Sequence, residues 1–105
     1  MATIEERPEE LHVRLSPWER IGSLHGDLLI PRACIVSSEV VPDPWPLLRG
    51  LRAPGTGIPR IVMLGTMRSQ FVKDFCAIYR RKPARIITCE GFPFERVIVT
   101  LPESA

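Results

Sequence analysis

The sequence predicts a mainly β fold: a small, strongly bent antiparallel barrel of about seven strands with one short early helix. Short runs rich in β-branched residues recur along the chain, and turn-forming residues separate them. The 11 prolines and 7 glycines among 105 residues argue against long helices. A chain of this length forms one domain, whose strands must close on themselves or pack in two layers to hide their edges. A two-layer sandwich is therefore the alternative architecture.

The amino-terminal part predicts a lead-in followed by a strand. Residues 1–9 are polar and acidic, so we expect a flexible lead-in before a single domain over residues 10–105. Leu11, Val13 and Leu15 alternate with polar residues, which is the period of a half-buried strand. The domain is therefore expected to begin with this strand.

A short helix is predicted directly after the first strand. Ser16 and Glu19 are the two ends of a capping-box sequence, which has proline at its first helical position. About two helical turns should follow, ending near Leu24. Within them we expect Trp18 and Ile21 to face the core.

The middle of the chain predicts two strands and then a break. Residues 28–30 and 33–41 are rich in isoleucine and valine, so they are predicted to be two strands, or one strand interrupted at Pro31. Three alternating prolines follow and end the sheet, and residues 45–48 can form a single helical turn over an edge of the core. Residues 50–59 combine glycine, proline and arginine, and they predict a long irregular connection.

The second half of the chain predicts four more strands, over residues 60–66, 73–80, 84–89 and 96–101. Turn sequences that contain proline or glycine separate the last three of these strands. Short strands joined by such turns are expected to pair as an antiparallel meander.

One segment resembles a known family. Residues 29–41, with the sequence LIPRACIVSSEVV, and residues 47–50, with the sequence LLRG, resemble the bacterial pleckstrin-homology-like domains. In those domains a strand ending in Ile-Pro leads into a second strand, and a leucine-rich turn then leads to glycine. Residues 51–67 also resemble small actinobacterial proteins of that group. The resemblance covers residues 27–67 and implies a bent barrel of about seven strands with a carboxy-terminal capping helix.

The resemblance carries over no catalytic residue, and the chain departs from it at the carboxy terminus. Only residues 102–105 follow the last predicted strand, and they are too few for a capping helix. The open end of the barrel is then expected to be plugged by another element or by a second chain. We therefore expect a non-catalytic module that contacts a protein partner or a second copy of itself.

Binding of an anionic ligand is the alternative function. The candidate residues are three arginines and two glycines of one segment, Arg49, Arg52, Arg60, Gly55 and Gly57. Glycine exposes backbone N–H groups that can cradle a phosphate, and arginine pairs with its oxygens. A nucleotide-binding loop must open a helix, and the β-branched run after this segment excludes one. A plain connection with turns is the competing interpretation.

A second basic cluster is predicted at a hairpin tip and comprises Arg80, Arg81, Lys82 and Arg85. At about 1 kcal/mol per basic residue near an anionic surface, the cluster provides about 4 kcal/mol, which is millimolar affinity. Binding to a membrane surface through this cluster would therefore be weak. A solvated turn is the competing interpretation.

Composition disfavours several other functions. The net charge of +2 predicts no strong attraction to nucleic acid. The two histidines have no second ligand at metal-site spacing, so we expect neither a metal nor another cofactor. Ser23, His25 and Asp27 lie close together in sequence, but neighbours at a helix end point in different directions and form no triad. The chain is therefore expected not to be an enzyme.

Localisation and self-association rest on three further features. The longest uncharged apolar stretch, residues 61–67, is too short to cross a bilayer, and the acidic start lacks a secretory signal. Three cysteines without CxxC spacing lie among strand-like apolar residues and predict a reduced, cytoplasmic protein. Trp45 and Ile58, if exposed, would form a self-association patch, and a bare strand edge would accept a partner's extended peptide.

Overall fold

The computed structural model describes residues 2–23, 26–48, 51–58, 62–68, 72–80 and 82–101. Within these ranges the chain forms nine strands and one α-helix, with 3-10 turns at Arg32–Cys34 and Trp45–Leu47. In chain order the elements are β1 (Thr3–Glu6), β2 (Glu10–Arg14), α1 (Pro17–Ser23), β3 (Leu28–Pro31), β4 (Ile35–Val41), β5 (Leu51–Ile58), β6 (Val62–Arg68), β7 (Lys73–Tyr79), β8 (Ala84–Cys89) and β9 (Arg96–Thr100). The predicted mainly β class with one short helix is confirmed.

The described strands form two sheets. One sheet has the order β1-β2-β3, and the other has the order β4-β8-β9-β7-β6-β5. All neighbouring pairs are antiparallel except β7 and β9, which are parallel. Strands β3 and β4 are consecutive in the chain but belong to different sheets. The pairings of the described strands therefore form two sheets and close no barrel.

The parallel pair corrects the predicted antiparallel meander. Strands β7 and β8 are consecutive, but β9 lies between them, antiparallel to β8 and parallel to β7. The residues from Val97 to Thr100 are all buried, so successive side chains on both faces of β9 are covered. A strand of this kind belongs in the interior of a sheet rather than at its edge.

The structure also corrects the expected flexible lead-in over residues 1–9, because four of these residues form β1. Ile4 packs against the core, and Ala2 is buried in it. The acidic residues that suggested a solvated tail have partners, since Glu5 Oε1 lies 3.1 Å from Arg7 Nε. The segment is an edge strand because it lies at the end of the small sheet and pairs with β2.

The predicted capping box is confirmed at the start of α1. The N–H of Ser16 donates to Glu19 Oε1 at 2.9 Å, and the N–H of Glu19 donates to Ser16 Oγ at 3.2 Å. The predicted inward face is wrong, because Trp18 and Ile21 are 70% and 68% exposed. Glu19 is buried instead, and its carboxylate accepts a hydrogen bond from the Tyr79 hydroxyl of β7. The polar contacts of Glu19, rather than an apolar stripe, therefore determine which side of this short helix faces the core.

Apolar side chains pack on both faces of the six-stranded sheet. On one face they meet the three-stranded sheet, and this cluster includes Leu11, Val13, Ile30, Phe75, Ile87, Val97 and Val99. The opposite face carries a second cluster, which comprises Met63, Met67, Cys76, Ile78, Ala84, Ile86 and Ile98. Trp45 and Leu48 pack against this second cluster. The large sheet is thus the middle layer, with the small sheet on one face and the 3-10 turn at Trp45–Leu47 on the other.

A buried ion pair connects β9 to β7 and to the 3-10 turn at Trp45–Leu47. Arg96 Nη2 lies 2.8 Å from Asp74 Oδ2, and the two residues are register partners in the parallel pair. The same arginine nitrogen donates to the Leu47 carbonyl at 2.7 Å. Asp74 is only 1% exposed, so a register that left its carboxylate unpaired would be costly. This pair therefore favours the observed alignment of β9.

The predicted irregular connection over residues 50–59 is wrong for residues Leu51–Ile58, which form β5 at an edge of the large sheet. Glycine and proline suggested a loop, but an edge strand tolerates both. The register against β6 shifts between Arg52 and Gly55, and Pro54 lies within that shift. Proline lacks a backbone N–H, and in sheets it is confined to such edge and irregular positions.

Replacing Trp18 with alanine is expected to change the free energy of unfolding by less than about 0.5 kcal/mol, because the side chain is exposed. The control Phe75→Ala removes a buried ring that packs edge-to-face on Phe94, and it should cost about 3–5 kcal/mol. Urea denaturation followed by circular dichroism measures both values. A loss above about 2 kcal/mol in Trp18→Ala would show that this helix face is buried after all.

Tyr79→Phe is expected to lower the free energy of unfolding by about 1.5–3 kcal/mol, because it removes a hydrogen bond to a carboxylate. Burial raises the pKa of the Tyr79 hydroxyl, which therefore remains a donor at neutral pH. The matched change Ser16→Ala removes one cap hydrogen bond and should cost about 1 kcal/mol. Chemical denaturation at pH 7 compares the two variants, and a smaller effect for Tyr79→Phe than for Ser16→Ala would contradict this account.

Candidate functional site

The segment predicted to bind anions does not have the geometry of a phosphate-binding loop. Arg52, Gly55 and Gly57 lie in the extended strand β5, and Arg49 and Arg60 lie outside the described residues. Successive N–H groups of a strand point to opposite sides, whereas an anion cradle needs them to converge. The described backbone of this segment is therefore a ladder with β6 and not a cradle.

The predicted basic hairpin tip is only partly described. Arg80 is exposed in a left-handed turn conformation, Lys82 is half-buried, and Arg81 lies outside the described residues. The Arg80 carbonyl accepts a hydrogen bond from Trp45 Nε1 at 2.6 Å. Trp45 is thus half-buried rather than part of an exposed patch, and Ile58, its proposed companion, lies in β5. The exposed position that a self-association patch would need at Trp45 is therefore not found, and the Ile58 side chain lies outside the described part of the structure.

Arg85, the fourth residue of the basic cluster, lies within β8 rather than at the turn. Its Nε donates to Ser38 Oγ of β4 at 2.7 Å, and its Nη2 lies 3.3 Å from Glu6 Oε1 of β1. The arginine side chain is 22% exposed. Since a carboxylate already balances its charge, Arg85 connects the two sheets and does not extend a basic surface.

A polar network joins β2 to the segment before β3. His12 Nδ1 lies 3.0 Å from Arg7 Nη2, and His12 Nε2 lies 3.0 Å from Asp27 Oδ2. Arginine can only donate, so Nδ1 is the acceptor, and the ring proton on Nε2 is donated to Asp27. The other carboxylate oxygen, Asp27 Oδ1, accepts a hydrogen bond from the N–H of Leu15 at 2.8 Å and lies 3.1 Å from Arg20 Nη2. These contacts fasten the chain on either side of α1 to the small sheet.

The chemistry of this network is structural. The N–H of Leu15 lowers the pKa of Asp27, and hydrogen bonds from His12 and from an arginine lower it further. Both nitrogens of His12 are engaged, so the imidazole offers no position from which to activate a nucleophile. Of the sequence cluster Ser23, His25 and Asp27, the described residue Asp27 contacts His12, and His25 and the Ser23 side chain lie outside the described residues.

One cavity of about 170 Å³ opens beside the edge of the small sheet. Its walls are mostly apolar and are formed by residues 2–4, Arg85 and residues 99–101. Pockets that hold small organic ligands usually exceed about 300 Å³, so this cavity is smaller than a typical ligand site. Among the described residues, no group of three His, Cys, Asp or Glu side chains could hold a metal ion.

The three cysteines are free thiols, and two of them are buried in the large sheet. Burial raises the pKa of the Cys76 thiol and of the Cys89 thiol. Cys34 is half-buried in the 3-10 turn before β4. Protonated buried thiols are unreactive, so Cys76 and Cys89 pack as small apolar side chains, as the sequence predicts.

Strand β4 is exposed along most of its length and is the candidate interaction site. It is one edge of the large sheet, and its described pairing is with β8 alone. The five central residues, 36–40, are all exposed, and Val36 and Val40 are each 59% exposed. An edge strand presents a row of backbone donors and acceptors that another extended chain can pair with. Exposed valines beside that row add apolar contacts for such a chain.

Sequence reasoning predicted a strand over residues 33–41 but did not single it out as a site. Its valines predict a strand but do not show whether that strand lies inside a sheet or at its edge, because β-branched residues are common in strands of both kinds. One signal was available: Ser37, Ser38 and Glu39 are consecutive polar residues in the middle of the strand. They interrupt the apolar surface on both faces, which is typical of a strand outside the core.

Asp27→Asn is expected to lower stability at pH 7 and to reduce the acid sensitivity of folding. The folded-state pKa of Asp27 lies below the unfolded value of about 3.9, so its carboxylate stabilises the fold above that pH. This contribution is lost as the pH falls through the folded-state pKa. Urea denaturation between about pH 2 and pH 7 measures the free energy of unfolding. The variant should lose more of it, relative to the unsubstituted chain, at pH 7 than at pH 2. A loss that is the same at every pH would contradict this assignment.

Comparisons with family models, with curated proteins and with solved structures find no match to this chain. In the part of the chain that the structure describes, no helix has both the length and the apolar character needed to span a bilayer. The pleckstrin-homology-like resemblance therefore stays a prediction, and the described geometry is the basis for a functional proposal.

Proposed function

We propose that this chain is a non-catalytic, cytoplasmic interaction module that binds an extended protein segment along the edge of β4. The observation that carries the proposal is the exposure of that edge from Val36 to Val40, with β8 on its other side. Strand addition obtains affinity from backbone hydrogen bonds and specificity from alternate side chains. Both requirements are met by an exposed strand that presents two valines.

Strand β4 is better suited to strand addition than the other described edges. Strands β1 and β3 flank the small sheet, and each has only four residues. Strand β5, at the opposite edge of the large sheet, contains Pro54 and a shift of register. Strand β4 contains no proline, and although its register against β8 also shifts between Ile35 and Ser37, the five residues Ser37–Val41 form a regular run of ladder.

The side chains of β4 indicate what kind of segment it accepts. Val36 and Val40 provide apolar contacts, and three polar residues separate them. Glu39 disfavours an acidic residue directly opposite, because like charges across a ladder are destabilising. We infer a partner segment with β-branched residues at the positions that face the valines and a neutral or basic residue opposite Glu39.

Two further observations support the proposal. The resemblance of residues 27–67 to pleckstrin-homology-like domains carries over no catalytic residue, which agrees with a binding module. The buried thiols of Cys76 and Cys89 agree with a reducing compartment such as the cytoplasm.

The contacts of Arg85 favour protein binding over the alternative of anion binding. Its guanidinium is paired with Glu6, so an incoming anion would have to displace a carboxylate. Arg52 and the two glycines of the other candidate site lie in an extended strand. The described backbone of the first basic segment and the described contacts of Arg85 therefore do not form the converging donors that anion recognition requires.

Selection of peptides on the purified chain tests the proposal. We expect the selected peptides to be rich in β-branched residues and to shift the NMR amide signals of Ile35–Val41. Val40→Lys should weaken their binding by about tenfold or more, because an edge lysine opposes strand addition. The control Ile21→Lys changes an equally apolar residue that is 68% exposed on α1, and it should leave binding unchanged. Peptides that shift other strands and still bind Val40→Lys would overturn the proposal.

A further inference from the structure

We propose that the segment bound by β4 is basic, with one cationic side chain opposite Glu39 and a second in a groove beside the loop that joins β8 to β9. The inference rests on the proposed function and adds the charge class of the partner. The occupant is an extended segment of another protein that contains lysine or arginine at these two positions.

The groove has a volume of about 310 Å³, and its walls include Glu90, Phe92, Pro93 and Glu95. This volume lies in the range of pockets that hold small organic groups, so one lysine or arginine side chain fits in it. Lys73 also contributes to the wall, and its ammonium lies 5.6 Å from the centroid of a buried phenylalanine ring. Two carboxylates against one ammonium favour a cation, and Phe92 and Pro93 provide apolar surface for its methylene stem.

Backbone contacts hold the groove beside the start of β4. The N–H of Glu90 donates to the carbonyl of Cys34 at 2.7 Å, and Cys89 of the groove wall is the register partner of Ile35. The regular ladder of β4 ends at Ser37, where the register against β8 shifts. A bound segment therefore leaves the ladder at this end. It is then two strand spacings, or about 10 Å, from β8, and about three extended residues span that distance.

The carboxylates of Glu39 and Glu90 are not neutralised by the chain itself. Both residues are exposed, and in the described part of the chain neither carboxylate has a cation within ion-pair distance. The arginines that adjoin this edge have other partners. Arg85 is paired with a glutamate of β1, and Arg32 donates to a backbone carbonyl in the turn between β1 and β2. A basic segment therefore complements two exposed negative charges along one edge.

The opposite end of β4 carries positive charge. Val41 pairs with the first residue of β8, and just before that residue Arg80 is exposed and Lys82 is half-buried. Asp43, which is half-buried in the segment after β4, balances only part of this charge. Basic residues of a bound segment are thus favoured towards the start of β4 and disfavoured towards its end. In antiparallel pairing this order places them in the carboxy-terminal half of the segment.

Isothermal titration calorimetry on the full chain tests the inference with peptides selected for binding at β4. Each peptide is compared with a version in which glutamine replaces every lysine and arginine. Glu39→Gln and Glu90→Gln should each weaken the basic peptides by about twofold to fivefold, because exposed ion pairs are individually weak, and should leave the glutamine versions unchanged. Raising the salt concentration from about 0.05 M to about 0.5 M should weaken the basic peptides only.

The matched control is Glu5→Gln, which removes a carboxylate of β1 that pairs with Arg7 and Arg14 and does not adjoin β4. It changes the net charge by the same amount and should leave the binding of the basic peptides unchanged. Circular dichroism of each variant checks that its fold is retained. An equal effect of all three substitutions would show a response to net charge alone and would overturn the assignment to this edge.

The possible failures separate the inference from the proposed function. Peptides that bind at β4 without lysine or arginine, with affinities that Glu39→Gln and Glu90→Gln do not change, overturn the inference alone. Weaker binding in Glu39→Gln but not in Glu90→Gln overturns the inference at the groove. Peptides that fail to shift the NMR amide signals of Ile35–Val41 overturn the proposed function and the inference with it.

Discussion

The central strands β7, β8 and β9 are buried on both faces, so other parts of the chain must cover each face of the large sheet. The small sheet covers one face, and the turn at Trp45–Leu47 contributes to the cover on the other. Polar contacts set the position of these covers. The pair between Asp74 and Arg96 extends to the turn through the Leu47 carbonyl, and the contact between Arg85 and Glu6 joins the large sheet to β1. The strand at the edge, β4, is left outside both covers.

Local signals in the sequence were sufficient to predict where α1 begins. The capping box at Ser16 and Glu19 depends on residues three apart, and it formed as expected. The burial of Glu19 could not be predicted in the same way, because its partner Tyr79 is 60 residues distant in the chain. The exposure of Trp18 follows from that distant contact. Short amphipathic patterns predict that a helix forms more reliably than they predict which side faces inward.

Topology was the part of the fold that sequence patterns did not show. Glycine and proline over residues 50–59 predict a loop in an isolated segment, but β6 provides a ladder that the edge strand β5 can join. The insertion of β9 between two consecutive strands depends on long-range pairing, and turn sequences contain no information about it. The candidate site was missed for the same reason, since the exposure of Val36 and Val40 depends on which strand lies at the edge. Residue type alone predicted basic binding sites. Arg85 shows why residue type is insufficient, because the carboxylate that neutralises it belongs to Glu6, which is 79 residues away in the chain.

The position of β9 has a consequence for the order in which the chain folds during synthesis. A nascent chain that stops before residue 96 contains β7 and β8 but lacks the strand that separates them. Both strands would then show apolar inner edges to other nascent chains, and such edges promote aggregation. The large sheet is completed only when β9 leaves the ribosome. The exposure of these two edges before β9 is inserted is thus a property of the strand order rather than of any single residue.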